Sequence, residues 1–180
     1  MSARTGLRLI ARAIQEYRGG PVLLPAYLCP AMIQPFQAEG LAVEFYPIGA
    51  DLTVDVATLM GLVQMARPGA VLFVNYFGFL VSPMVQAALQ EIKKRSWLIE
   101  DCVQGSLIEQ SSSVVGHLGD FIVTSFRKYL PVPDGGLVIN RTAAVFPALS
   151  PAAGPFVRYR LLGKLLRAEF LQGDVGRPEV

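Results

Sequence analysis

Histidine, cysteine and charged residues are scarce in this sequence. Its 180 residues include one histidine, two cysteines and only 17% charged residues. A four-ligand zinc site made of histidine and cysteine cannot be formed by only three residues, His117, Cys29 and Cys102. Two thiols are also too few for the several disulfide bonds of a small disulfide-rich domain. We therefore predict no metal site and a chain that folds around its own hydrophobic core.

An excess of charge of one sign is also lacking. The 16 Lys and Arg residues nearly balance the 14 Asp and Glu residues, which leaves a net charge of +2 with no basic run. Binding to duplex nucleic acid usually requires a concentrated basic surface. We therefore predict that nucleic acid is not a partner.

No apolar run is long enough to cross a membrane. Residues 68–90 carry no charge, but Asn75, Gly78 and Pro83 interrupt them. The uninterrupted pieces are shorter than the ~20 residues that a membrane-spanning helix needs. We interpret the region as a buried strand followed by a capped helix. No membrane partner is predicted, and the few thiols suit a cytoplasmic, reducing location.

The N-terminal segment is rich in arginine and has no acidic residue before Glu16, which allows two interpretations. Such a composition is typical of a mitochondrial transit peptide. The same composition also fits a native amphipathic helix with arginine on its solvent-exposed face. The apolar stripe of that helix would consist of Leu7, Ile10, Ala11 and Ile14. We favour the native helix because the segment leads directly into a strand with no linker.

Short apolar runs alternate with helical patterns along the chain. Strands are predicted at 22–24, 43–46, 71–75, 97–100, 121–125 and 136–140. Helices are predicted at about 4–17, from Pro30, at 55–66, from Ser82 and Pro83, and at 159–171. This alternation predicts a three-layer α/β/α fold with a mostly parallel sheet. Because strands stop after Asn140, we expect a domain over 1–141 and a connector over 142–180.

Two charged residues stand where ligands bind in such sheets, just beyond the carboxyl ends of strands. Asp101 ends one strand, and Lys128 follows another. If those strands are neighbours, the two side chains face one cleft. An amine and a carboxylate there suit pyridoxal phosphate, which needs a covalent anchor and an anionic partner for its ring nitrogen. A turn-capping aspartate and an ordinary surface lysine remain the alternatives.

Several short motifs occur in a characteristic order. They are Leu24-Pro-Ala-Tyr-Leu-Cys-Pro30, Tyr76-Phe-Gly78, Glu100-Asp-Cys-Val-Gln104, Leu118-Gly-Asp120, Ser125-Phe-Arg-Lys128 and Asp134-Gly-Gly136. In this order they resemble the DegT/DnrJ/EryC1/StrS aminotransferases. The resemblance implies fold type I of the pyridoxal-phosphate-dependent transferases and an enzyme that aminates keto sugars, many of them nucleotide-linked.

The resemblance also implies roles for individual residues. Lys128 would be the catalytic Schiff-base lysine, and Asp101 would pair with the pyridinium nitrogen. Gln104 would lie near the ring oxygen, and Tyr27 would cover the ring. The phosphate would contact Ser125 and the start of the first helix, where Arg4 and Thr5 lie, in agreement with the anion preference of helix N-termini.

The implied partners are an amino donor such as glutamate, a keto-sugar acceptor and a second copy of the chain in a homodimer. Family members are longer, so the C-terminal small domain is expected to be missing and activity to be impaired. Gly6 also stands where the family has a good helix former. The alternative function is a non-catalytic scaffold or binding protein that retains the fold. Gly-x-Ser-x-Gly and Gly-x-Gly-x-x-Gly are absent, which disfavours a hydrolase and a dinucleotide site.

Overall fold

Six strands form the main sheet of the protein. The computed structural model describes residues 2–105, 109–110, 113–150 and 154–173. The strands of this sheet are β1 (Val22–Pro25), β2 (Val43–Tyr46), β3 (Ala70–Val74), β4 (Trp97–Asp101), β7 (Phe121–Ser125) and β8 (Gly136–Asn140), while β5 (Glu109–Gln110) and β6 (Ser113–Val114) form a separate antiparallel pair. The order in the sheet is β2-β1-β3-β4-β7-β8, and only β8 runs antiparallel to its neighbour.

Helices cover both faces of this sheet. They are α1 (Ala3–Tyr17), α2 (Gln34–Ala38), α3 (Val56–Ala66), α4 (Pro83–Lys93) and α5 (Gly154–Gln172). One core joins α1 and α2 to side chains such as Leu24, Leu72 and Ile99, and the other joins α3 and α4 to side chains such as Leu23 and Val71. Because alternate residues of each strand enter opposite cores, the three-layer α/β/α prediction is confirmed.

Helix α1 is a native part of this fold. The Ser2 hydroxyl caps it by accepting a hydrogen bond from the Thr5 amide at 3.1 Å. The predicted apolar stripe is buried, with Ile10 and Ile14 fully enclosed against the sheet. On the opposite side, Arg8 and Arg12 form ion pairs with Glu39 just beyond α2. The amphipathic-helix interpretation is therefore confirmed.

The start of α1 packs closely on β8, and two glycines permit this. A Cβ atom on Gly6 would clash with the Val138 side chain, and one on Gly136 would clash with the backbone at Ser2 and Ala3. Gly6 is unfavourable for an isolated helix, by roughly 1 kcal/mol relative to alanine. Close packing accounts for it at this position.

Helix α5 lies beyond the last strand. It begins five residues before the predicted Tyr159, since Pro155 suits a first helical turn, and it ends at Gln172. None of its residues is buried, and Phe156, Leu162 and Leu166 are exposed. Residues 151–153 and 174–180 of the predicted connector lie outside the described residues. No helix in the described part of the chain is long and apolar enough to span a bilayer.

Candidate active site

A cleft of about 830 Å³ opens at the carboxyl edge of the parallel strands. Loops after β1, β3, β4 and β7 line it together with the first turn of α1 and part of α5. All seven residues predicted from the sequence border this one cavity, namely Arg4, Thr5, Tyr27, Asp101, Gln104, Ser125 and Lys128. The structure therefore brings these residues together, and their individual roles remain predictions.

Asp101 is the buried acid of the cleft. It is the last residue of β4, 4% exposed, and its Oδ1 accepts a hydrogen bond from the Val103 amide at 2.8 Å. Burial raises the pKa of Asp101 to about 6, although the Val103 hydrogen bond and the positive charge of Lys128 act in the opposite direction. A cationic ring nitrogen beside this carboxylate would oppose the cost of burying its charge.

Lys128 reaches the same cleft from the neighbouring strand. Strand β7 pairs with β4 in parallel, with Asp101 opposite Val123, and a 3-10 turn at Phe126–Lys128 follows directly. The Tyr129 hydroxyl donates a hydrogen bond to the Val103 carbonyl at 2.9 Å, which fastens this turn to the loop after β4. The two strands are thus neighbours, which is the condition under which Asp101 and Lys128 are expected to face one cleft.

Glu100, which precedes Asp101, faces away from the cleft. It is fully buried and accepts hydrogen bonds at Oε1 from Asn75 Nδ2 and Gly116 N, both at 2.8 Å, and at Oε2 from the amides of Leu118 and Gly119 at 3.0 and 2.9 Å. Glu100 therefore holds the 116–119 loop. Only one acid of the Glu-Asp pair belongs to the site.

Two tyrosines and a glutamine form one wall of the cleft. The Tyr76 hydroxyl donates to the Tyr27 carbonyl, and the two rings lie 5.6 Å apart. Gln104 Oε1 accepts a hydrogen bond at 2.7 Å from the amide of Phe77, whose φ is +54°. Burial, followed by the nearby Tyr27 and Asp101, raises the pKa of Tyr76 to about 12. Tyr76 is therefore a neutral hydrogen-bond donor that orients the Tyr27 segment.

The first turn of α1 and the end of β7 form the opposite wall. The hydroxyls of Ser2 and Thr5 are 3.0 Å apart, so Thr5 is already hydrogen-bonded to the helix cap. Ser125 is buried, and its hydroxyl donates to the Gly135 carbonyl at 3.4 Å. These hydroxyls, the guanidinium of Arg4 and the helix N-terminus form a set of groups suited to an anion.

Two further residues of the cleft, Tyr76 and Arg160, have no role predicted from the sequence. Tyr76 could have been found because it closely follows a strand end. The buried Nε of Arg127 has no hydrogen-bond partner in the described part of the protein. Arg160 comes from α5, and no local pattern indicates where that helix packs.

Metal chemistry has no evident site in the part of the chain that the structure describes. Within those residues, no group of three or more His, Cys, Asp or Glu side chains could hold an ion. The buried Cys102 is inert, because burial and the neighbouring Glu100 charge raise the pKa of its thiol.

Solved structures of similar fold are sugar aminotransferases and their relatives. Helicobacter pylori PseC, an aminotransferase of pseudaminic acid biosynthesis, matches with a TM-score of 0.68 and 19% identity over 94% of this chain and 52% of its own. A DegT DnrJ EryC1 StrS aminotransferase from Brucella abortus matches with a TM-score of 0.62 and 20% identity over 92% of this chain and 53% of its own. The sugar aminotransferase CalS13 from Micromonospora echinospora matches with a TM-score of 0.62 and 21% identity over 88% of this chain and 42% of its own.

These likenesses establish the fold, which is that of the pyridoxal-phosphate-dependent enzymes of fold type I. The chain spans about half the length of the structures it matches. No curated protein matches the sequence. The model of the DegT/DnrJ/EryC1/StrS aminotransferase family, whose cofactor is pyridoxal phosphate, matches residues 1–146. The chain therefore belongs to the DegT/DnrJ/EryC1/StrS aminotransferase family.

Proposed function

We propose that this chain binds pyridoxal phosphate in the cleft and transfers an amino group to a keto sugar, in the nucleotide-linked form. The observation that carries the proposal is that one cavity is lined by a buried carboxylate, Asp101 at the end of β4, and by Lys128 in the turn after the neighbouring strand β7. Glutamate is the proposed amino donor.

The residues of the cleft fit this cofactor chemically. A buried acid suits a protonated ring nitrogen, and the buried, unpartnered Nε of Arg127 suits an anionic group. Arg4 and the N-terminus of α1 supply further positive potential. The tilted rings of Tyr27 and Tyr76 provide an apolar surface for a planar group. The fit supports a phosphorylated pyridine as the ligand.

Each of these residues then has a distinct task. When bound, pyridoxal phosphate supplies an electron sink for the electrons released as the substrate α-proton leaves. Lys128 is the covalent attachment residue, and its Nζ, once free, accepts and returns that proton. Asp101 stays ionised beside the ring nitrogen, and Tyr27 covers the ring.

Two polar side chains complete the proposed cofactor site. Gln104 Nε2 remains able to donate to the ring oxygen because Oε1 is used for the Phe77 amide. Ser125 and Thr5 contact the phosphate. These assignments follow the family motif and the lining of the cleft.

The unit that performs this chemistry is proposed to be residues 1–141. Strand β8 ends at Asn140, and no described residue after it belongs to a strand. Residues 142–180 serve as a connector and helix. We also propose that two copies associate, because α5 exposes apolar side chains along its length.

Reductive labelling tests the proposed function. The sequence contains four lysines, so pyridoxal phosphate followed by borohydride and peptide mapping identifies the anchor without ambiguity. We expect a phosphopyridoxyl group on Lys128 and a visible absorbance band that Lys128→Ala abolishes. Lys94→Ala, at an exposed ion pair with Glu91, is the matched control. A label on Lys93, Lys94 or Lys164 with none on Lys128, or no band at all, would instead favour a non-catalytic scaffold.

A further inference from the structure

Positive charge exceeds negative charge around the cleft. Its border carries the cations Arg4, Arg127, Lys128 and Arg160 and the acids Asp101 and Asp134. The proposed cofactor uses Lys128, Asp101, Arg4 and Arg127, and the charge of Arg127 also acts on Asp134. Arg160 has no part in the proposed cofactor site. No carboxylate among the described residues forms an ion pair with it.

Helix α5 is fixed so that Arg160 faces the cleft. Lys164 Nζ donates a hydrogen bond to the Val132 carbonyl at 2.6 Å, which fastens the helix to the loop before β8. Val157, Arg160 and Lys164 are partly buried while their neighbours on the helix are exposed, and their spacing puts them on one face. Arg160 lies one turn before the Lys164 anchor, on the side where α5 borders the cavity.

The guanidinium group of Arg160 is further held by a ring. Its Cζ lies 5.4 Å from the centroid of Phe156, one turn earlier, and Phe156 also lines the cavity. Stacking on an aromatic face leaves the edge of a guanidinium free for two parallel hydrogen bonds to a carboxylate or phosphate. The Phe156 ring thus restrains the Arg160 guanidinium at the border of the cavity.

We infer that Arg160, on the Phe156 ring at the border of the cleft, binds an oxyanion of the substrate, separate from the anion site at the start of α1. The family match ends at residue 146, so this subsite belongs to α5 and not to the matched motifs. For the identity of the substrate the inference rests on the proposed function. The oxyanion is the carboxylate of the amino donor or the diphosphate of a nucleotide sugar.

Anion titration of the full chain tests the subsite directly. With pyridoxal phosphate at saturation, glutarate stands for the donor and uridine diphosphate for the acceptor, and calorimetry gives each Kd. We expect Arg160→Gln to weaken at least one anion about tenfold or more, because a charge-assisted hydrogen bond is lost. Arg158→Gln, at an exposed cation on the same helix that does not line the cleft, should leave both affinities unchanged. The anion that weakens identifies the source of the oxyanion.

The inference is overturned if Arg160→Gln binds both anions as the native chain does, or if the native chain binds neither. If Arg160→Gln fails to fold, the same titration is done with Arg160→Lys. This variant keeps the positive charge but lacks the planar guanidinium group, so it should weaken anion binding severalfold. Failure of the proposed function has a different result. Lys128 would then stay unlabelled by borohydride while the Arg160-dependent anion affinity persisted.

Discussion

Two adjacent carboxylates of β4 experience opposite surroundings. Among the residues that the structure describes, Glu100 accepts hydrogen bonds from Asn75 and from three backbone amides, whereas Asp101 accepts a backbone hydrogen bond from Val103. Both are buried, so the difference lies in how well each charge is compensated. Glu100 stabilises the fold through these hydrogen bonds, and the buried charge of Asp101 costs stability in the absence of a cationic partner.

The pH dependence of stability should reveal the uncompensated charge of Asp101. Its pKa is raised from 3.8 to about 6 in the folded chain, so the folded state binds the proton more tightly than the unfolded state. Between those pH values the free energy of unfolding falls as pH rises, by roughly 3 kcal/mol from this group. Asp101→Asn removes that slope. Urea unfolding of the cofactor-free chain at pH 4 and pH 7 should therefore show the variant gaining stability relative to the native chain.

The matched control is Glu91→Gln, which removes an exposed carboxylate from the surface pair with Lys94. It should change stability by well under 1 kcal/mol. If the difference in free energy of unfolding between Asp101→Asn and the native chain is the same at pH 4 and pH 7, the carboxyl group of Asp101 is not desolvated.

Replacing Glu100 should have the opposite effect. In Glu100→Gln, an NH2 group replaces one carboxylate oxygen and faces the backbone or Asn75 groups that are themselves donors. The 116–119 loop therefore loses hydrogen bonds. We expect a loss of about 2–5 kcal/mol in the free energy of unfolding, measured by urea denaturation. Glu44→Gln, on the exposed side of β2, is the control and should cost little. Equal stabilities of the two variants would contradict a structural role for Glu100.

At the scale of elements, the contact between α1 and β8 positions the start of α1 at the wall of the cleft. Gly6 allows the helix to approach Val138. Gly6→Ala improves helix propensity by up to roughly 1 kcal/mol, but the added methyl group overlaps Val138, and overpacking typically costs 1–3 kcal/mol. We expect a net loss of stability in thermal or urea unfolding.

Gly61 offers the matched control for this substitution. It lies inside α3 with nothing within 4 Å of an added Cβ, so Gly61→Ala should gain about 0.5–1 kcal/mol. If Gly6→Ala were stabilising to the same extent, the approach of α1 to β8 would not depend on the glycine.

Periodicity and turn chemistry predicted the six strands of the main sheet and the helices around them. Each has a local signal, such as the stripe of α1 or the Ser82 and Pro83 start of α4. The early start of α5 was missed because Pro155 was not interpreted as a first-turn residue. The β5–β6 pair was also missed because two-residue strands carry no periodicity.

The candidate site was predictable where motif and strand order sufficed. Asp101 and Lys128 follow apolar strands, and the order of the strands puts those ends together. The roles of Glu100 and Arg160 were not predictable, because they depend on contacts with residues far away in the sequence. Because successive side chains of a strand point to opposite faces of the sheet, the sequence predicts that Glu100 and Asp101 face different sides. It does not predict which of the two faces the cleft.

At the scale of the whole molecule, the exposed apolar surface is the feature with the clearest consequence. Helix α5 has no buried residue, and the outer face of β8 exposes Leu137 and Ile139. Exposed apolar surface of this extent is typical of interaction sites. We expect the chain to self-associate as concentration rises, as measured by sedimentation velocity or light scattering.

Substitutions on α5 should separate this association from nonspecific aggregation. Leu162→Gln combined with Leu166→Gln should shift the chain toward the monomer, because both side chains are half exposed on the helix. Met65→Gln, at an exposed position on α3, should leave the association unchanged. A native chain that stays monomeric at the highest concentration refutes the expectation.

The packing of α1 on β8 also sets an order of events during synthesis. Helix α1 is synthesised before β8, and Val138, which Gly6 contacts, follows about 130 residues later. Until β8 has been synthesised, part of the apolar stripe of α1 remains exposed. The final packing of α1 therefore forms only after the last strand is available. The wall of the cleft made by the start of α1 and the end of β7 thus assembles only when the sheet is finished. If this wall binds the anion proposed for it, the growing chain acquires that affinity only once β8 has joined the sheet.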